Sequence, residues 1–119
     1  MMIRQLPLEV LDDIMFVPRI VLAMPIEAFA TKFGFELGNG CDDLDYFQGI
    51  ALSLNGGVPF TLTHHRGHKA GETTLSLPIQ YGDAATISAL FKQIANELDI
   101  DAKAVMWLQD YDDPPRLYA

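Results

Sequence analysis

From Tyr46 onward the sequence alternates. Ile50, Leu52 and Leu54 take every second place, with Ala51 and Ser53 between them. Val58, Phe60 and Leu62 continue the pattern, and Leu75, Leu77 and Ile79 repeat it against Thr74, Ser76 and Gln80. Neighbouring side chains of a strand point to opposite faces, so a period of two gathers the large apolar residues on one side. Asn55-Gly56-Gly57 parts the first two runs, and both residue types accept the positive φ of a tight hairpin turn. A second turn covers about Arg66 to Gly71. The reading is a three-stranded antiparallel meander over about 46–80, with one greasy face and with Thr61 and Thr63 facing out.

A sheet with one apolar face needs a cover. Ile87, Leu90, Phe91, Ile94 and Leu98 recur at helical spacing, and Asp83 stands where a side chain caps the free N–H groups of a helix. A helix is expected over about 84–98. A second is expected over about 25–33: Pro25 opens it, Ile26, Phe29, Ala30 and Phe33 share a face, and Gly34 stops it. Residues 7–16 read as a short helix with Pro7 at its first position, and Arg19 to Ala23 as a brief strand. Asp101 is placed to cap one further turn before a final strand, Val105 to Leu108. Gly38-Asn39-Gly40-Cys41-Asp42-Asp43 reads as a loop, and Asp112-Asp113-Pro114-Pro115 as an extended tail. The fold expected is α+β: an antiparallel sheet of four to five strands, packed mainly on one face by two helices. A chain of 119 residues is expected to make it as one domain, 1–119.

Charge narrows the function. Sixteen acidic residues against eight basic ones give a net charge of −8, and the basic residues are scattered. Nucleic-acid affinity rests on clustered Lys and Arg, so no nucleic-acid partner is expected. The longest apolar runs fall well short of the roughly 18 residues of a membrane span. The first residues lack the basic-then-apolar order of a secretory signal, because Glu9, Asp12 and Asp13 interrupt the greasy stretch. Cys41 is the only cysteine, which excludes an internal disulfide and suits a reducing cytoplasm.

All three histidines fall within five residues: His64, His65 and His68, with Arg66 and Lys69 beside them. Strand alternation sends His64 toward the core side and His65 toward solvent, so the two do not readily chelate one ion together. This hairpin is the candidate ligand or metal site of a small enzyme. It is equally the one mildly basic spot on an acidic protein, able to receive an anion or an acidic side chain. The simplest alternative is the polar end of a hairpin, with His64 hydrogen-bonded there.

Six of the sixteen acids lie in two short groups, Asp42, Asp43 and Asp45, then Asp110, Asp112 and Asp113. Neither has the twelve-residue pattern of a calcium loop. Solvated loops explain them most simply. The functional reading is a face for a basic protein: the aspartates steer the encounter, and Tyr46, Trp107 and Tyr111 supply buried contact. Nucleophile elbow, phosphate loop and dinucleotide fingerprint are all missing, and carboxylates near Cys41 disfavour a reactive thiolate. No cofactor and no resident metal are expected.

In profile the chain resembles bacterial immunity proteins and other dedicated inhibitors, which bind toxins that are often basic. The resemblance is one of type, carried by small size, acidity and lack of motif. It implies a cytoplasmic protein-binding domain that neutralises a basic partner such as a toxin nuclease. The other expectations are the histidine-hairpin enzyme and a homodimer formed by pairing sheet edges, which no Lys or Pro clearly prevents.

Overall fold

The computed structural model describes residues 2–41, 46–67 and 69–108, with Trp107 and Leu108 described through their backbone only. In chain order it contains β1 (Ile3–Leu6), β2 (Phe16–Leu22), α1 (Ile26–Phe33), β3 (Gly38–Cys41), β4 (Tyr46–Leu54), β5 (Val58–His65), β6 (Thr73–Pro78), α2 (Ala84–Leu98) and β7 (Val105–Leu108). One antiparallel sheet holds every strand, in the order β1-β4-β5-β6-β2-β7, with β3 paired to β4 beside β1. The architecture is α+β, and the expected meander is β4-β5-β6.

The meander forms where the alternation placed it. Asn55 and Gly56 take φ values of 53° and 73°, and the Gly57 N–H donates to the Leu54 carbonyl at 3.0 Å. Leu54 then faces Val58, and the register runs unbroken to Phe47 opposite His65. Ile79 departs from the expected pattern: it lies beyond β6 and is exposed. Pro78, the last residue of β6, has no N–H with which to extend the ladder.

Both helices bury their stripes against the large apolar face. Ile26 and Phe29 of α1 join Ile87, Phe91, Ile94 and Leu98 of α2 over Ile20, Leu22, Ile50, Leu52, Phe60, Leu62, Leu75 and Leu77. The caps are local chemistry. Asp83 accepts the Thr86 N–H at 2.8 Å and the Thr86 hydroxyl at 2.6 Å. Those two bonds hold the Asp83 carboxyl below its ordinary value of 3.8. Gly34 ends α1 in the left-handed region, φ 71°. Asp101 accepts the Lys103 N–H at 2.9 Å and starts the short 3-10 turn that leads into β7.

The sheet has seven strands, beyond the four to five expected, because two short segments share one edge of β4. Ile3–Leu6 runs along its Ala51–Leu54 half and Gly38–Cys41 along its Tyr46–Gly49 half. Gly38 to Cys41 is therefore strand, where the sequence suggested loop. Its glycines make room: a Cβ on Gly40 would sit 2.5 Å from Cζ of Phe47, and one on Gly38 would sit 2.9 Å from Cδ2 of Leu8. Gln5 ties the two segments together. Its side-chain Nε2 donates to the Glu36 carbonyl at 2.8 Å, and its Oε1 accepts the Glu36 N–H at 2.9 Å.

Residues 7–16 differ from the expected helix. Leu8–Asp12 forms a 3-10 helix, Pro7 precedes it, and Phe16 already belongs to β2. Topology explains the short element. β1 and β2 are four strand spacings apart, roughly 19 Å. Residues 7–15 must cover that distance over one face of the sheet, which leaves little length for coiling. They cross the face opposite the helices, where Leu8 packs against Gly38 and Gly49.

Candidate binding groove

The helix-free face of the meander carries small residues. Gly49, Ala51 and Ser53 of β4, Thr61 and Thr63 of β5, and Thr74 and Ser76 of β6 all point there, while their neighbours Ile50, Leu52, Leu62 and Leu75 fill the core. None of these outward residues is charged. The nine-residue crossover runs over this face, and all seven of these residues are buried. A groove remains beside it, with a volume of about 1600 Å³.

The floor is a patch of hydroxyls. Thr61 lies opposite Ser76, and Thr63 opposite Thr74. Thr61 is 1% exposed, Ser76 6%, Thr63 7% and Thr74 8%. Among the described residues, none of the four hydroxyls hydrogen-bonds another protein group, and none is sealed from the groove. Thr73 behaves differently. It points to the other face, is fully buried, and donates to the Met24 carbonyl at 2.6 Å. Thr61 and Thr63 were expected to face solvent. They face away from the core but lie at the bottom of a cleft, because the crossover and the flanking strands rise around them.

The walls mix apolar and charged groups. Leu8, Leu11 and Met15 come from the crossover, Val21 from β2 and Met106 from β7. Met15 is 67% exposed and Met106 40%, so two flexible thioethers line the cleft. Glu9, Asp12 and Glu72 also line it, with Lys69 as the one lysine among the described lining residues.

The histidines separate as alternation required. His64 Nδ1 lies 2.7 Å from the Glu72 carbonyl, an oxygen that only accepts, so this nitrogen carries the proton. His65 turns to the groove side, with its ring centroid 5.2 Å from that of Phe47. It is half-buried there, where solvent exposure was expected. His68 lies outside the described residues. Among the described residues, no group of three or more His, Cys, Asp or Glu side chains converges in a way that could hold a metal ion.

Asp42, Asp43, Asp45, Asp110, Tyr111, Asp112 and Asp113 lie outside the described residues, and Trp107 is placed only through its backbone, opposite Val21. The residues that flank the first aspartate group belong to β3 and β4. Cys41 pairs with Tyr46, and both Cys41 and Phe47 belong to the groove end that His65 and Gly67 also line. The Arg66 N–H donates to the Tyr46 carbonyl at 2.9 Å, and its guanidinium lies 5.1 Å from the Tyr46 ring centroid. The Cys41–Tyr46 end of the β3–β4 pair and the Arg66 end of β5 therefore adjoin.

The chain matches no known protein family, curated protein or solved structure. Sequence reasoning missed the groove, although a signal was present. Solvated sheet faces usually carry Lys, Glu, Arg or Gln, whereas the outward set here is Gly, Ala, Ser and Thr.

Proposed function

We propose that this chain is a protein-binding module and that its binding element is the groove on the helix-free face. One observation carries the reading: a wide cleft floored by buried hydroxyls that no protein group among the described residues satisfies. Its volume of about 1600 Å³ exceeds the roughly 300–1,000 Å³ of small-molecule pockets, which favours a polypeptide segment. Exposed Met15 and Met106 supply adaptable apolar contact of the kind found at binding surfaces. The net charge of −8 favours a basic partner. In its most concrete form the module is an inhibitor of the bacterial immunity type, working in a reducing cytoplasm and neutralising a basic protein such as a toxin nuclease. The aspartate groups then serve to steer association, and the groove holds what they attract. The histidine-hairpin enzyme has no comparable support, because His64 and His65 serve opposite faces.

The test is selection of displayed random peptides on the native protein. Selected peptides should lose at least tenfold in affinity for Thr63→Tyr, a change that obstructs the groove at its floor, while the urea midpoint confirms that the variant is folded. Affinity should also fall as salt rises. Selected peptides that bind Thr63→Tyr and native protein equally would exclude the groove as the binding element.

A further inference from the structure

We infer that the occupant of the groove is an extended, basic strand of a partner protein, aligned with β5 and β6 and read by the four floor hydroxyls. The inference rests on the groove being the binding element and adds the conformation and chemistry of what enters it.

Conformation follows from the spacing of the floor. Thr61 and Thr63 stand two residues apart on β5, as do Ser76 and Thr74 on the neighbouring β6. Strand geometry sets these hydroxyls about 6.7 Å apart along each strand and about 4.8 Å apart between strands. An extended peptide presents every second side chain at the same interval of about 6.7 Å. Laid along the strands, such a segment can offer one polar group to each hydroxyl in turn. A helix, rising about 1.5 Å per residue with 3.6 residues per turn, presents one face at about 5.4 Å and drifts out of step. Each hydroxyl both donates and accepts, which suits Ser, Thr, Asn or Gln on the occupant's inner side.

Chemistry follows from the walls. Glu9, Asp12 and Glu72 face the cleft against the single cation Lys69, so the described lining is acidic. Lys or Arg on the occupant's outer side can reach these carboxylates while its polar side chains meet the floor. Two independent features thus point to one ligand: buried hydroxyls on a strand-like lattice with no partner among the described residues, and acidic residues in the same lining.

Three ten-residue peptides test this by fluorescence anisotropy and amide chemical-shift mapping: alternating Lys-Thr, alternating Glu-Thr, and a helical Ala-Lys peptide with the same charge as the first. The Lys-Thr peptide should bind, shift the amides of Thr61, Thr63, Thr74 and Ser76, and lose at least tenfold in affinity for the double variant Thr61→Val/Thr63→Val. The Glu-Thr peptide should not bind. The helical peptide should bind at least tenfold more weakly and leave β5 and β6 unshifted. Failure of the Lys-Thr peptide to bind, equal binding of the helical one, or no loss in the valine double variant overturns the inference. If selected peptides still depend on an unobstructed groove but prove helical or acidic, only this inference falls. If obstructing the groove floor with Thr63→Tyr leaves all binding intact, the binding-element reading falls with it.

Discussion

Two threonines with opposite environments give the sharpest test of the groove. Thr61 and Thr73 are both buried strand residues, 1% and 0% exposed. The Thr73 hydroxyl donates to the Met24 carbonyl at 2.6 Å, whereas the Thr61 hydroxyl has no partner among the described residues and opens on the groove. Valine keeps the branched shape and the strand preference of threonine, so each substitution mainly removes a hydroxyl. At Thr73 it removes a hydrogen bond and leaves the part-buried Met24 carbonyl without it, which should cost about 1–2 kcal/mol. At Thr61 it removes a group held out of bulk water without a partner, a state that costs about 1–3 kcal/mol when desolvation is complete. Because this hydroxyl keeps some contact with the groove, Thr61→Val should stabilise the fold by about 0.5–1 kcal/mol. The two variants should therefore move in opposite directions, about 2 kcal/mol apart in the fold's stability. Urea unfolding followed by far-UV circular dichroism measures this, and equal slopes would show that the change lies in stability and not in the unfolded chain. If Thr61→Val loses as much stability as Thr73→Val, its hydroxyl is tied into the fold and the floor is not an open lattice.

Other expectations follow from single contacts. Gly40→Ala places a methyl 2.5 Å from Cζ of Phe47 and should destabilise by about 1–3 kcal/mol, with partial rescue by Phe47→Leu in the same urea assay. Phe91→Ala removes a fully buried ring between α2 and the sheet and should cost about 3–5 kcal/mol; a cost under 1 kcal/mol would mean that α2 is not packed as described. Acid should weaken the fold through two helix-end carboxyls. Asp83, bonded by Thr86, and Asp99, held by the Lys32 ammonium at 2.7 Å, both titrate below the ordinary 3.8. The unfolded chain thus binds protons first. The stability these groups contribute is complete above about pH 4 and drains as pH falls through their lowered native values. A Thr86→Val/Lys32→Gln variant should show a shallower loss of urea midpoint between pH 4 and pH 2.5, and an unchanged slope would remove both carboxyls from the account.

Much of the fold is local and therefore legible along the chain. The alternation of Ile50, Leu52 and Leu54, the turn at Asn55-Gly56, the cap at Asp83 and the stripe from Ile87 to Leu98 each depend on residues a few places apart. A hydrogen bond to the third residue or a period of two needs no knowledge of distant chain. That is why the meander, both helices and the α+β architecture follow from the sequence alone.

The groove depends on distant chain. Gly38 to Cys41 becomes strand because Leu8 and Phe47 press onto its glycines, and one of those contacts spans thirty residues of sequence. Thr61 and Ser76 are outward by alternation, yet they are buried because a crossover from β1 must travel four strands to reach β2. Local sequence decides which face of a strand a side chain takes, since the pleat alone sets that. Whether the second face meets solvent or a cleft depends on the route of the remaining chain, and only the tertiary structure fixes that route.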